Sequence, residues 1–264
     1  MASKTSQPRI IAVANQKGGV GKTTTAINLA TAIAATKRRV LIVDFDPQGN
    51  ASTALGVDKR ACPANSYDLV MGEASLAEAM IDTGIPGLFL VPGSQDLSGA
   101  EVELVQAEGR EHRLARALAT IEDGFDFILI DCPPSLNLLT VNALVAAQSV
   151  MVPLQCEFLA LEGISLLVKT IERVKASLNP QLELHGIVLT MFDKRNNLSD
   201  EVAADVRSYF GDKVFKTVIP RNVRVSEAPS YGKPVLLYDW RCAGSEAYVH
   251  LAGEVLRRER ELVA

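Results

Sequence analysis

The sequence predicts an α/β fold, a doubly wound and mainly parallel sheet with helices on both faces. Three observations point there. Short apolar runs of strand length alternate with helix-length amphipathic stretches along the whole chain. Hairpin signals between them are almost absent, so successive strands need crossover connections. The polar residues with the most chemistry fall just after three of the apolar runs, where such sheets place their ligands.

Strand 9–14 carries Ile10-Ile11-Ala12-Val13-Ala14 and feeds a glycine-rich turn, which opens helix 23–35. Strand 39–44 (Arg39-Val40-Leu41-Ile42-Val43-Asp44) comes next, followed by helices 66–71 and 75–81. Strand 87–92 precedes helices 98–107 and 111–121. Strand 126–131 (Asp126-Phe127-Ile128-Leu129-Ile130-Asp131), helix 137–146, strand 149–154 and helix 160–178 continue the alternation. Strands 185–191 and 214–219 enclose helix 199–210. A last apolar run, 235–238, reads as a strand, and helix 243–260 closes the series.

At 264 residues and 48% hydrophobic composition, the chain can bury a large core. No linker, repeat or low-complexity tract divides it, so one domain over 1–264 is expected, with 1–8 disordered. A net charge of −4 offers no global attraction to nucleic acid, so any such surface must be a local patch. Cys62, Cys132, Cys156 and Cys242 are far apart with no CxxC pair, which predicts reduced thiols and a cytoplasmic location. Residues 1–8 lack an apolar signal core, and no apolar run reaches the length of a membrane span.

The chemistry concentrates in Lys17-Gly18-Gly19-Val20-Gly21-Lys22-Thr23, directly after the first strand. A glycine-rich turn running into a helix aims backbone N–H groups and a helix N-terminus at one point, which suits a polyphosphate. Lys22 supplies a positive charge for the outer phosphates, and the Thr23 hydroxyl is placed to ligate Mg²⁺. The usual pattern GxxxxGK[ST] would have glycine at position 16, where this chain has Gln16, and a second lysine, Lys17, heads the loop. Lys17 is either a solvated loop lysine or a group that meets phosphate from a second subunit. Asp44 and Asp46 are two apart and share a face on an ideal strand, suiting outer contacts to Mg²⁺ and orientation of an attacking water. Asp131, after four apolar residues, has the form of a Walker B carboxylate. A lone aspartate at a strand end is commonly a turn or cap residue; three converging on a phosphate-type loop favour ligand chemistry.

With these motifs placed, the chain resembles the ParA/MinD group of deviant Walker ATPases. Within it, the chain is most similar to the short chromosomal (Soj-type) ParA DNA-partitioning proteins. The likeness runs from 14–25 and 44–50 through Asp131-Cys132-Pro133-Pro134-Ser135 to 219–224 and 226–234. It implies a P-loop NTPase fold, ATP/ADP and Mg²⁺ as cofactors, slow Mg-dependent ATP hydrolysis and an ATP-dependent face-to-face homodimer. By this resemblance Gly18, Gly19, Val20, Gly21, Lys22, Thr23 and Thr24 hold the nucleotide phosphates, and Pro220 and Arg221 close over the base. Lys17 crosses to the partner's phosphates, past Gly18, where the two backbones approach closely. Asp46 positions the hydrolytic water, and Asp44 and Asp131 complete the shell around Mg²⁺ begun by Thr23.

The resemblance also implies non-specific DNA binding, a ParB-type centromere-binding partner that stimulates hydrolysis, and a nucleoid-associated location. Between Lys194 and Lys233 stand eight Lys/Arg against five Asp/Glu, a local +3. Arg195 and Arg224 match family positions used on DNA, and Lys194, Lys213 and Lys233 are further candidates. Cys132 has no matching cysteine loop to suggest an iron–sulfur cluster. The C-terminal stretch reads as a packing helix rather than a membrane anchor, so no membrane partner is expected. A relative that positions another cargo, a MinD-like membrane-cycling regulator and a metabolic ATP-dependent enzyme are the alternatives.

Overall fold

The computed structural model describes residues 7–121, 124–157 and 160–263. Of segment 1–8, expected to be disordered, residues 1–6 lie outside that range; Gln7 and Pro8 lead into the first strand without regular structure. Among the described residues there are eight strands: β1 (Arg9–Val13), β2 (Val40–Asp44), β3 (Ile81–Asp82), β4 (Leu88–Val91), β5 (Phe127–Asp131), β6 (Ser149–Gln155), β7 (Glu183–Phe192) and β8 (Val214–Pro220). They form one sheet in the order β3-β4-β2-β5-β1-β6-β7-β8, parallel throughout except where β3 meets β4. The doubly wound α/β expectation is borne out.

The central strands are buried from end to end, which is why they read as continuous apolar runs. The pleat sends Leu41, Val43, Ile128 and Ile130 to one face, against Leu139 and Leu144 of helix Leu138–Ala146 and Ile164 and Leu167 of helix Ala160–Ser177. It sends Val40, Ile42 and Leu129 to the other, against Ile27, Leu29 and Ile33 of helix Lys22–Ala34 and Leu251 and Val255 of helix Ala243–Val263. Each such side chain contributes about 1.5–3 kcal/mol when removed from water.

β1 lies in the middle, with β5 on one side and β6 on the other. The chain leaves β1 towards β2 and, after β5, crosses to β6 on the opposite side. The carboxyl end of β1 is therefore the switch point of the sheet, where a crevice opens.

The structure corrects one element outright. The run 235–238 is a helical turn, Val235–Tyr238, and not a strand. Val235 is buried, and its N–H donates to Asn28 Oδ1 at 2.7 Å, so its backbone is committed to helix Lys22–Ala34 instead of a sheet edge. Helices Asn50–Ala54 and Val223–Glu227 have no counterpart in the sequence reading, because such short segments carry little periodic signal. For the same reason Ile81, expected to end helix 75–81, instead begins β3 after a helix that spans Leu76–Ala79.

Candidate nucleotide site

Past β1, the Ala14 N–H donates to the Met151 carbonyl at 3.1 Å, so the glycine-rich loop starts while still tied to β6. Asn15 then turns the chain. Its Oδ1 accepts the Lys17 N–H (3.0 Å) and its Nδ2 donates to the Pro153 carbonyl (2.7 Å). Gly19 and Gly21 have φ of +74° and +87°, conformations in which a Cβ is costly. Gly21 caps helix Lys22–Ala34 without a side-chain hydrogen bond, leaving the first amide N–H groups turned towards the loop. Gly18 differs. A Cβ there would meet no heavy atom within 4 Å among the described residues, so the chain's own packing does not demand glycine.

The two loop lysines are held differently. Lys22 is buried, and its Nζ donates to the Lys17 carbonyl at 3.0 Å. Burial draws its pKa below the ordinary lysine value, against the opposing field of Asp131. The Lys17 side chain is 51% exposed, and its Nζ is ion-paired with Glu157.

Asp44 and Asp131 end β2 and β5 as register partners. Asp44 Oδ2 accepts the Ser52 N–H (2.8 Å) and hydroxyl (2.6 Å), while Ser52 Oγ accepts the Gly93 N–H (2.9 Å). A Cβ on Gly93 would fall 2.8 Å from Asp44 Cγ, so the loop after β4 packs directly on this carboxylate. Asp44 Oδ1 and both Asp131 oxygens are buried without a hydrogen-bond partner among the described residues. Burial raises both pKa values, that of Asp44 to about 6 and that of Asp131 well above the usual carboxylate range, where the charge of Asp44 adds to it.

Asp46 is placed by a turn and not by the strand pleat, since β2 ends at Asp44. Its Oδ1 accepts the Gln48 N–H (3.0 Å), and its carbonyl accepts the Gly49 N–H (2.8 Å). Both buried carboxylates with orphaned oxygens suit a hydrated divalent cation. Among the described residues, no group of three or more His, Cys, Asp or Glu side chains closes on one point as direct metal ligands.

Beside the loop, a cavity of about 390 Å³ is lined by Gly21, Thr24, Met191, Pro220, Arg221 and Tyr248. Thr190, at the end of β7, donates from Oγ1 to the Val20 carbonyl (2.8 Å), and Met191 next to it has a left-handed φ of +50°. The expected base residues, Pro220 and Arg221, therefore share one cavity with the glycine-rich loop.

The family model described as an AAA domain matches residues 8–184. The chromosome partitioning protein ParA of Caulobacter vibrioides is 61% identical over 255 residues, 96% of each chain. This chain belongs to the ParA/Soj family of P-loop ATPases. The sporulation initiation inhibitor protein Soj of Bacillus subtilis is 51% identical, covering 94% of this chain and 98% of its own. The solved cobyrinic acid a,c-diamide synthase of Mycobacterium smegmatis, with a bound ATP analogue and magnesium, superposes with a TM-score of 0.85 at 39% identity over 96% of each chain.

In this ParA/Soj-family chain the basic residues separate into distinct places. Lys194 and Arg195, after β7, line a groove of about 780 Å³ with Lys216, Arg221 and His250, beside Asp193 and Glu246. Arg195 is bidentate to Asp193, at 2.9 and 2.8 Å. Arg224 bonds Glu227 (3.0 Å) and lies 3.5 Å from Asp239. Lys213 is elsewhere. It precedes β8 and lines a cavity with Arg9 and Glu183 at the opposite end of the sheet from Arg195. Lys233 lines a cleft with Thr23, Thr24 and Asn50, closer to the P-loop than to the groove.

Sequence reading missed Glu157, Thr190, Ser52, Gly93, Lys216 and His250. The excess of basic residues over 194–233 contained Lys216, and nothing local marked the others.

Proposed function

We propose that this chain is a chromosome-partitioning ATPase, whose ATP-bound homodimer binds DNA without sequence preference and is released by hydrolysis. The observation that carries it is the unequal placement of two lysines in one loop. Lys22 is buried and folded onto the loop, placed for the chain's own nucleotide. Lys17 is half-exposed beside a glycine that this chain's own packing does not require, which supports a reach to the phosphates of a partner.

The loop N–H groups from Gly18 to Thr24 would bind the phosphates, and Pro220 and Arg221 the base. Mg²⁺ would neutralise phosphate charge when bound, with Thr23, Asp44 and Asp131 holding it and its water. Asp46 would orient the attacking water. Losing the γ-phosphate removes the anion that two Lys17-bearing loops share, so hydrolysis separates the subunits. The cofactor-bound synthase supports ATP and magnesium as ligands; the 61% identical partitioning protein supports the cargo. A ParB-type protein is the partner proposed to accelerate hydrolysis, on the nucleoid. Among the described residues, no helix is long and apolar enough to cross a membrane.

The test is DNA binding by an Asp46→Ala variant with ATP, with ADP and without nucleotide, across a salt series. Binding only with ATP, falling steeply with salt, is expected. No binding in any state, with ATP still bound, would overturn the DNA reading and direct attention to another cargo surface.

A further inference from the structure

We propose that Trp240 is a DNA-contacting side chain, adding an apolar, stacking contact to the phosphate contacts of its neighbouring arginines. The inference rests on the DNA-binding reading above and assigns it a residue that charge counting does not find. Trp240 is the only tryptophan in the chain, and it is 68% exposed. Tryptophan is among the residues enriched at contact surfaces relative to the rest of a protein's exterior. The Arg241 guanidinium lies over its ring, 4.8 Å from the centroid.

Asp239 joins this pair to Arg224. Its Oδ1 accepts the Arg241 N–H (3.2 Å), and its Oδ2 lies 3.5 Å from Arg224 Nε. Trp240 therefore stands on a turn braced to a candidate DNA residue. Between Arg221 and Arg241 the chain has four basic residues (221, 224, 233, 241) and two acidic ones (227, 239), a local +2 in a chain of −4. Both acids are engaged by Arg224. Three residues beyond Trp240, Ala243 and then His250 line the groove that holds Lys194, Arg195 and Arg221. The turn that carries Trp240 thus leads directly into the helix whose residues line that basic groove.

A polyanion explains the arginines, but an exposed indole gains nothing from phosphate. In a duplex, the deoxyribose edges of the groove are apolar, and a side chain wedged at a base step meets a partly unstacked base face. DNA is the partner that satisfies both.

Because the chain has one tryptophan, its emission reports this position without a label. The experiment titrates the protein with a short duplex in the presence of a non-hydrolysable ATP analogue and, separately, of ADP. Quenching by DNA with the analogue and not with ADP is expected. Trp240→Ala should weaken DNA binding about tenfold, and Trp240→Phe should restore most of it. The slope of log K against log salt should stay unchanged in Trp240→Ala, since an apolar contact releases no counterions. Arg195→Glu should instead flatten that slope.

Emission that changes with the ATP analogue alone and not with DNA would place Trp240 between copies of this chain and overturn the proposal. Unchanged emission and affinity in Trp240→Ala, with Arg195→Glu still defective, would overturn it while leaving the DNA reading intact. No DNA binding by the wild type in either nucleotide would overturn both.

Discussion

Asp44 and Asp131 are register partners on neighbouring parallel strands, and both are fully buried. Burial raises the pKa of both, and the charge of Asp44 raises that of Asp131 further, while the charge of Asp46 adds to the rise at Asp44. Three of their four oxygens have no hydrogen-bond partner among the described residues. Two like charges held this way destabilise the protein that carries them until a cation compensates. Asp131→Asn should therefore stabilise the nucleotide-free protein by about 1–2 kcal/mol, a rise in Tm of about 2–8 °C. The same variant should lose more than about tenfold in Mg²⁺-dependent nucleotide affinity. Calorimetric melts and nucleotide titrations with and without Mg²⁺ check both; a destabilised variant would mean that the pair is already neutralised.

Lys17 is tied to Glu157, 140 positions away in the chain, by an ion pair in which the lysine is exposed and the glutamate half-buried. Such pairs are worth about 0–1 kcal/mol, so the tie can restrain Lys17 by at most about fivefold. Glu157→Gln should raise ATP-dependent dimerisation by up to about that factor, read by sedimentation at several protein concentrations. Weaker dimerisation would mean that Glu157 orients the lysine instead of restraining it.

Thr190 joins the P-loop to β7, the strand that precedes Arg195. Its buried hydroxyl donates to the Val20 carbonyl at 2.8 Å, and five residues later stands Arg195. Thr190→Val leaves that carbonyl unsatisfied and should cost about 1–3 kcal/mol of stability. Nucleotide affinity should fall several-fold, with Thr190→Ser close to wild type. Denaturant unfolding and nucleotide titration read the two effects separately.

Glu254 fastens the C-terminal helix to β8. It accepts the N–H groups of Lys216 (2.8 Å) and Thr217 (3.0 Å) and the Thr217 hydroxyl (3.0 Å), with Arg258 at 3.4 Å. Burial works against its charge, but these donors outweigh burial and hold its pKa below the usual value of 4.5. A depressed folded-state pKa contributes stability above the unfolded value, and that stability is lost as pH falls through the folded one. Melts from about pH 7 to about pH 3 should show a decline beginning near pH 4.5 that Glu254→Gln reduces. The variant should itself cost about 1–3 kcal/mol at neutral pH.

Residues 9–23 and the strand ends at Asp44 and Asp131 were readable from the chain alone. A phosphate cradle requires consecutive backbone groups, so its residues must be contiguous. Strands buried on both faces must be apolar at every position, so their ends are visible where polar residues resume. The run 235–238 misled because four apolar residues suit a strand and a buried helical turn equally. Its outcome depended on Asn28, 207 positions earlier, capturing the Val235 N–H.

By itself, then, the sequence determined the fold class, the places of seven of the eight described strands along the chain, the glycine-rich loop and the carboxylates that end β2 and β5. These follow from local chemistry: periodicity, glycine conformation and the reach of adjacent backbone. Only the tertiary structure decided that Ser52 and Gly93 grip Asp44, that Glu157 holds Lys17, and that Thr190 braces Val20. It alone separated Lys213 from Arg195, although both lie in the same basic stretch, by sending them to opposite ends of parallel strands. Packing joins residues that are distant in the chain, and seven residues of extended β8 are enough to carry a charge about 23 Å from its neighbour in sequence.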